Sequence, residues 1–451
     1  MEFNIIEFYK AINFMNQRVN PLGSEKHKYY VDLSKIIGNE VNKIHSKITS
    51  YSPNEPTCTV LTGYIGSGKS TELLRLKNDL EVEGFHVVYF VADEELNMID
   101  VSIPDIWQAI ACRIVQSLDA IEIKEPAKLN KFLQEYLQIL DIEYPAKIKE
   151  NISKATSAKI GKGKDIFTWS LGISEVLKTS IKKPLDHKKL TQFLDAQKTQ
   201  LIEAINQEVI EPMITQVKAR GKHGLVVIID GVDRIDNLRK PWGQRQHEYL
   251  FISQGKYLTK LNCHLVFTLP IYLLFSNHYE ILTQHFGELR VLRMVPVRSR
   301  DGSEHQEGMA LLRQMVLIKA FPDLDEQQRL EAIPLVFENA EALDRLCHLS
   351  GGHIRNLNGL LMSWVMEEDY FPLKREALEK VIFSYREDLR AAILDEDWEL
   401  LRQVKTSKPM KNEDPRYQML IRAMFVFEYR EGDEVWVDIN PALSEAEELQ
   451  T

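Results

Sequence analysis

Short apolar runs alternate with amphipathic stretches through the first 300 residues of the chain. The apolar runs have the length of β-strands and cover 57–62, 85–91, 225–230, 264–269 and 289–297. Between them, apolar residues recur at helical spacing in 71–83, 105–118 and 190–219. Continuous apolar runs are typical of strands that are covered on both faces, so the alternation predicts a parallel α/β sheet.

Beyond residue 300 the pattern becomes mainly helical. Apolar residues recur at helical spacing in 307–320, 325–337, 340–361, 375–394 and 415–426. Gly351 and Gly352 interrupt the third of these stretches. The pattern ends in two strands, 424–429 and 434–439, joined by a turn at 431–433. Helices that are followed by one terminal hairpin predict a winged-helix domain.

At 451 residues the chain is long for a single core, and about 100–200 residues per domain suggests about three domains. The predicted organisation is an N-terminal segment at 1–50, an α/β core at 51–300, a helical lid at 301–370 and a winged-helix domain at 371–451. The strand–helix alternation stops at about 119–200. We expect a helical insertion with a basic loop there.

The composition is that of an ordinary globular protein, with 44% hydrophobic and 27% charged residues. No apolar run approaches the ~18 residues of a membrane span, and the amphipathic N-terminus lacks the apolar centre of a signal peptide. We therefore expect a cytoplasmic protein without membrane contact. The four cysteines are scattered without a C-x-x-C pair, which favours buried reduced thiols over disulfides or zinc.

Charge is distributed unevenly along the chain. The net charge is −10, yet the region from Lys147 to Lys189 holds eleven lysines against four acidic residues, a local balance of +7. A solvated charged face would account for these lysines. A contact surface for nucleic acid or for an acidic protein partner is the alternative, and the sequence leaves both interpretations open.

The stretch 63–70 reads GYIGSGKS and fits the P-loop pattern G-x-x-x-x-G-K-[ST]. Its glycines let the backbone turn and aim N–H groups at phosphate oxygens. Lys69 would place its charge on the β- and γ-phosphates, and Ser70 would offer its hydroxyl to Mg²⁺. The motif predicts ATP and Mg²⁺ as cofactors. The predicted nucleotide-binding residues are Gly63, Gly66, Ser67, Gly68, Lys69, Ser70 and Thr71.

An acidic residue ends the apolar run 225–230. At that position Asp230 is predicted to hold Mg²⁺ directly or through water, although a helix-capping aspartate is the alternative. Asp233 follows three residues later. It is predicted to act as the general base that polarises the attacking water, with a salt bridge to Arg234 as the alternative.

Two further residues are candidates for contact with the γ-phosphate. Thr268 ends the neighbouring predicted strand, where its hydroxyl would orient water, or it is simply a β-branched strand residue. Arg355 lies four residues after Gly351. A helix that starts at the glycine break would turn Arg355 back towards a bound phosphate. His353 is expected to pack or to cap that helix.

The motifs GYIGSGKS, IIDGVDRI, HLVFTLP and SGGHIRNL, followed by the winged-helix pattern, resemble those of AAA+ ATPases near the boundary of the STAND class and the origin-recognition-like clade. The resemblance covers roughly 20–440, apart from the insertion. It implies that Thr268 is sensor 1 and that Arg355 is sensor 2 on the lid. STAND proteins usually have a proline where this chain has Ile354.

The resemblance also implies a homo-oligomer in which an arginine finger enters a neighbour's site, with Arg298 and Arg300 as candidates. The function that it implies is a nucleotide-driven switch that couples ATP hydrolysis to assembly or to partner binding. A DNA loader or remodeller is the alternative. However, residues 371–451 carry twelve Lys or Arg against eighteen Asp or Glu, and a wing on DNA should be basic. A binding-only module is disfavoured by the pair Asp230 and Asp233.

Overall fold

A computed structural model describes residues 3–14, 28–117, 128, 196–368, 370–407 and 415–450. Its strands are β1 (Cys58–Gly63), β2 (His86–Val91), β3 (Leu225–Asp230), β4 (His264–Pro270), β5 (Arg290–Leu292), β6 (Val426–Glu431) and β7 (Glu434–Ile439). The first five form a parallel sheet in the order β2–β3–β4–β1–β5, and β6 pairs with β7 in an antiparallel hairpin. The predicted parallel α/β sheet is confirmed.

Helices cover both faces of this sheet and form most of the C-terminal half. In the first half they are α1 (Ile5–Phe14), α2 (Ser34–Ile37), α3 (Glu40–Ser46), α4 (Lys69–Val82), α5 (Ala92–Glu95), α6 (Ile103–Gln116), α7 (Lys198–Ile205), α8 (Glu211–Ala219) and α9 (Tyr279–Phe286). In the second half they are α10 (Gln306–Ala320), α11 (Glu326–Glu331), α12 (Ile333–Val336), α13 (Ala340–Leu349), α14 (Ile354–Glu367), α15 (Arg375–Ala391), α16 (Asp397–Ser407) and α17 (Pro415–Arg422).

The register of the sheet brings the predicted site residues to one edge. In the parallel pairing of β1 with β4, Thr62 lies opposite Leu269. In the pairing of β3 with β4, Ile229 lies opposite Phe267, so Asp230 and Thr268 follow at the same level. The carboxyl ends of β1, β3 and β4 therefore meet where open α/β sheets bind ligands.

Two apolar cores cover opposite faces of the sheet. One contains Trp107 of α6 and extends into the C-terminal hairpin through Trp436 of β7. The other joins α4, through Leu73, to the helices after residue 300, with Trp364 of α14 fully buried. Each C-terminal unit is thus anchored to the core by buried apolar area, which is worth roughly 25 cal/mol per Å².

The break between α13 and α14 is fixed by a close backbone approach. Gly352 has φ +71°, and a Cβ at this position would lie 1.7 Å from the carbonyl oxygen of Val295. Only glycine fits there. The break allows α14 to start again at Ile354. After α14, the helices α15–α17 and the hairpin β6–β7 form an arrangement that fits a winged-helix domain.

Several predicted boundaries are wrong. The run 289–297 forms strand only at Arg290–Leu292, because Met294 and Val295 turn to bond with Glu428 and Gly352 instead. The stretch 325–337 is divided into α11 and α12, and a proline occupies the start of the second helix. The stretch 415–426 ends as a helix at Arg422. Helix α16 was not predicted.

The remaining expectations concern the helix at 190–219, the cysteines, membrane-spanning helices and the basic region. In the stretch 190–219, predicted as one helix, a π-helical turn, Asn206–Ile210, separates α7 from α8 just before Pro212. The four cysteines are free thiols. No helix among the described ranges is long and apolar enough to cross a membrane. The basic region Lys147–Lys189 lies outside the described residues.

Candidate functional site

The P-loop connects β1 directly to α4 and lies under the lid. Gly66 and Gly68 both have φ +98°, a left-handed conformation that favours glycine. A Cβ on Gly66 would lie 2.7 Å from the Cβ of Arg355 and 2.9 Å from Nε2 of His353. The missing side chain therefore lets the N-terminus of α14 sit directly on the loop.

Lys69 is buried and held by three protein oxygens. Its Nζ donates to the carbonyl oxygens of Gly63, at 2.7 Å, and Tyr64, at 2.8 Å. It also forms an ion pair with Oδ2 of Asp233 at 3.0 Å, and both side chains are less than a tenth exposed. The sequence alternative, a salt bridge between Asp233 and Arg234, is replaced by this pair.

The Asp233 carboxyl is kept ionised by its neighbours. Burial by itself raises its pKa, but the charge of Lys69 and hydrogen bonding with Thr268 and Lys69 bring the pKa below its ordinary value. The backbone N–H of Asp233 donates to Oγ1 of Thr268 at 3.3 Å. The fully buried Thr268, two residues before the end of β4, thus contacts the residue predicted to be the base.

Asp230 ends β3 and is 1% exposed. Its Oδ2 accepts a hydrogen bond from the hydroxyl of Tyr89 on the adjacent β2, at 3.0 Å. The described residues contain no cluster of three His, Cys, Asp or Glu side chains that would hold a metal alone. A magnesium ion here would therefore combine Asp230 and the hydroxyl of Ser70 with water and phosphate oxygens, the ligand set that Mg²⁺ commonly uses.

The lid is attached to the P-loop through the first turn of α14. His353 caps that helix, as its Nδ1 accepts from the N–H of Asn356 at 3.3 Å. Its Nε2 then carries the proton and donates to the carbonyl oxygen of Ile65 at 2.9 Å. The backbone N–H of Arg355 donates to the carbonyl oxygen of Gly66 at 3.3 Å. Arg355 is thereby placed beside the loop, and its contact with a phosphate stays a prediction.

The terminal hairpin also contacts the P-loop, which the sequence did not predict. The buried hydroxyl of Tyr64 donates to the carbonyl oxygen of Val426 on β6 at 2.9 Å. The Tyr64 and Phe427 rings meet edge to face, 5.6 Å apart. Next to them the buried Glu428 pairs with Arg293 at 2.7 Å. Tyr64 occupies a variable position of the motif, so no sequence signal marked it.

The proposed arginine fingers lie elsewhere. Arg298 and Arg300 are both exposed, after the end of β5. The guanidinium of Arg300 pairs with Glu434, the first residue of β7. Both side chains therefore lie on a surface next to the hairpin, and neither is among the groups that hold Lys69 or Asp233.

The residues around the P-loop suit a polyphosphate. Ser67 Oγ and Asp233 Oδ1 are buried polar atoms without a hydrogen-bond partner among the described residues, and such atoms are rare in folded proteins. Arg355 is exposed. Burial lowers its pKa, the charge of Arg234 lowers it further, and Asp233 opposes both. The positive charges of Lys69, Arg234 and Arg355 all act on the carboxylate of Asp233. An anionic ligand would balance the excess positive charge.

No protein-family model matches the chain, and no curated protein is significantly similar to it in sequence. Solved structures with a similar fold include the ORC1 protein of Aeropyrum pernix in complex with DNA, with 12% identity, 95% of this chain and 96% of that chain covered, and a TM-score of 0.36. Cdc6p of Pyrobaculum aerophilum is similar at 11% identity, 95% and 97% coverage and a TM-score of 0.37. The Walker-type ATPase PABY2304 of Pyrococcus abyssi is similar at 13% identity, 94% and 100% coverage and a TM-score of 0.37. Identities and TM-scores this low leave the functional argument to the chain's own residues.

Proposed function

We propose that the protein is a Mg²⁺-dependent ATPase that acts as a nucleotide-driven switch. The observation that carries the proposal is the ion pair between Lys69 and Asp233, at 3.0 Å within the P-loop cradle. The pair joins the cation that binds phosphate to the carboxylate that activates water. The lid and the terminal hairpin hydrogen-bond to the same loop, so nucleotide binding reaches both.

Nucleotide phosphates would be held by the backbone N–H groups of 63–71 and by Lys69, at the N-terminus of α4. Ser67 would contribute its buried hydroxyl, which has no hydrogen-bond partner within the described ranges. Ser70 and Asp230 would hold Mg²⁺, which neutralises charge on the phosphate oxygens when bound.

The catalytic step is assigned to Asp233 and Thr268. With its pKa held below the ordinary value, Asp233 is an ionised acceptor near neutral pH, available to take the proton of water at Oδ1 or Oδ2. Thr268 fixes the backbone N–H of Asp233. Its hydroxyl therefore positions the base, and it lies at the strand end where the resemblance implies sensor 1.

The switch follows from competition for Lys69. A phosphate that replaces Asp233 as the ion-pair partner of Lys69 would leave the carboxylate of Asp233 free to accept a proton from water. The same phosphate would pull on the loop whose carbonyl oxygens at Ile65 and Gly66 accept from His353 and Arg355. Binding is thereby converted into a change in how the lid and the hairpin are held.

The test is to measure ATP·Mg²⁺ binding by calorimetry and phosphate release by a coupled assay. Lys69→Ala should abolish binding, because it removes the charge that faces the phosphates. Lys77→Ala, on the solvent side of the same helix and paired with Glu81, should bind and hydrolyse ATP normally. A wild-type protein that neither binds nor hydrolyses ATP would overturn the proposal.

The output of the switch is proposed to be assembly or binding of a protein partner in the cytoplasm. Arg298 or Arg300 would complete a neighbour's site in a homo-oligomer. Both are exposed in this structure. Mass measurement with and without ATP tests this point. If an ATP-dependent oligomer persists in Arg298→Ala and is lost in Arg300→Ala, Arg300 is the finger. The reverse result would identify Arg298.

The DNA-directed alternative rests on the lysines at 147–189. If they bind nucleic acid, the contacts are mainly to phosphates, because lysine lacks the fork that reads guanine edges. Binding should then be independent of sequence, with a log–log salt slope of about −0.9 per phosphate. Replacing Lys159, Lys162 and Lys164 by Glu should weaken it without changing basal hydrolysis. No binding at low salt would leave the protein partner as the output.

A further inference from the structure

A cavity opens beside the P-loop, on the side of the winged-helix domain. It has a volume of about 90 Å³. Its walls are the loop at Gly63, the acidic turn at Asp233, the segment after β4 at Tyr272, and the end of α17 at Arg422 and Met424. A single buried water needs about 10–15 Å³, so the cavity has room for a group larger than several waters.

Arg422 brings a positive charge to this cavity from an exposed position. Within the described ranges no carboxylate forms an ion pair with it, and its guanidinium carbon lies 5.8 Å from the centroid of the Tyr272 ring. The charge acts across the cavity. Burial lowers the pKa of His247 to about 4, and Arg422 contributes to that lowering. Asp233 also lines the cavity, and its buried Oδ1 has no hydrogen-bond partner among the described residues.

The end of α17 is held in an unusual conformation. Met424 has φ +62°, the left-handed region that bulky residues rarely adopt. Asn440 holds this turn, because its Nδ2 donates to the Met424 carbonyl oxygen at 3.2 Å and its N–H donates to that of Phe425 at 2.8 Å. The turn places both Arg422 and Met424 on the cavity wall, so the hairpin fixes the position of the arginine.

From this arrangement we infer that Arg422 is a phosphate-binding residue that the winged-helix domain contributes to the nucleotide site of its own chain. The inference rests on the proposed function. A terminal phosphate that displaces Asp233 from Lys69 lies between the P-loop and this cavity, and the guanidinium of Arg422 donates to it. The domain therefore distinguishes ATP from ADP directly, in addition to the contact proposed for Arg355.

A purely structural role makes a different prediction. Arg422 lies in the last turn of α17, where a cation stabilises the helix dipole, and it stacks near Tyr272. Loss of those contacts would destabilise the domain to the same extent with either nucleotide. Binding of the triphosphate and of the diphosphate therefore has to be compared in the same variant.

The experiment measures dissociation constants for ADP and for a non-hydrolysable ATP analogue by calorimetry, and melting without nucleotide. Arg422→Gln should weaken binding of the analogue about tenfold or more, the value of a charged hydrogen bond, and leave ADP binding unchanged. Arg422→Lys should restore part of the loss. Arg416→Gln, on the same helix and paired with Glu396, is the matched control and should keep the wild-type ratio.

The outcomes separate the two proposals. If wild-type protein binds neither nucleotide, the proposed function fails, and this inference fails with it. If wild-type protein binds both, but Arg422→Gln keeps the wild-type ratio of the two constants, this inference alone is overturned. An equal loss for both nucleotides with a lowered melting temperature assigns Arg422 to helix stability and also overturns it.

Discussion

Nζ of Lys69 lies 3.0 Å from Oδ2 of Asp233, and both side chains are buried. The pair lies between the P-loop and the turn that follows β3. Each partner neutralises the other, so neither charge is unbalanced in the interior. The phosphate-binding group and the water-activating group are thus linked before any reaction, and a change at one changes the other.

The first prediction concerns the base. Asp233→Asn should cut turnover by about 10²–10⁴, the usual range for a lost acid/base group. ATP binding should not weaken, because the amide no longer competes as an anion for Lys69. Single-turnover phosphate release and calorimetry measure the two effects. Asp301→Asn, an exposed turn residue, should match wild type. Unchanged turnover in Asp233→Asn would remove the base assignment.

The second prediction concerns the lid. Arg355→Ala should weaken binding of ATP more than binding of ADP, because only ATP offers the phosphate that the side chain is proposed to touch. A charged hydrogen bond predicts a change of about tenfold in the ratio of dissociation constants. Arg375→Ala, an exposed arginine on α15 that pairs with Glu379, is the control. Equal ratios in mutant and parent would return Arg355 to a surface or packing role.

The third prediction is a pH dependence of folding that comes from His353. Burial, with the nearby charges of Arg355 and Lys69, lowers its pKa to about 4, whereas an unfolded histidine titrates near 6.5. The unfolded state binds the proton first, so this stabilisation is present above about pH 6.5 and is lost as the pH falls towards 4.

The loss between pH 7 and pH 5 should be about 2 kcal/mol, measured by chemical denaturation at each pH. His353→Gln keeps one donor and one acceptor but does not titrate, so its stability should fall less over this range. His278→Gln, at an exposed position, should keep the wild-type slope. A slope that is the same in His353→Gln and wild type would contradict the assignment.

The fourth prediction tests the contact between the P-loop and the hairpin. Tyr64→Phe keeps the ring against Phe427 but leaves the Val426 carbonyl oxygen without its donor. An unsatisfied buried group costs about 1–3 kcal/mol, so β6 should exchange its amide hydrogens faster. Tyr51→Phe, at an 82% exposed position, should not change exchange in β6. Exchange that is unaltered in Tyr64→Phe would show that the hydrogen bond does not hold the hairpin.

Local patterns account for the parts of the fold that were predicted. The runs at β1, β3 and β4 are apolar because the sheet is covered on both faces, and the P-loop follows one strand directly. The run 289–297 misled because burial against the lid and the hairpin also requires apolar residues. The run therefore has the apolar composition of a strand, although most of its residues do not pair with the sheet.

The candidate site was predicted only where it is contiguous in sequence. The P-loop, Asp230 and Asp233 lie in motifs a few residues long. The contact of Tyr64 with Val426 joins residues 362 positions apart, and no local pattern encodes it. The same applies to Arg422, whose proposed role depends on the cavity that the end of α17 lines. Sequence spacing identified Arg355 because the glycine break sets where its helix starts.

The lid and the hairpin both hydrogen-bond to one short loop, and this arrangement bears on how long a nucleotide would stay bound. If a nucleotide binds under the N-terminus of α14 as proposed, opening of the site would require breaking the hydrogen bonds of His353 to Ile65 and of Tyr64 to Val426. The residence time of the ligand is then set by domain opening, which is slower than the loss of single phosphate contacts. The residence time of the nucleotide would then limit how long each state of the switch lasts. A partner that binds the hairpin would lengthen or shorten that time.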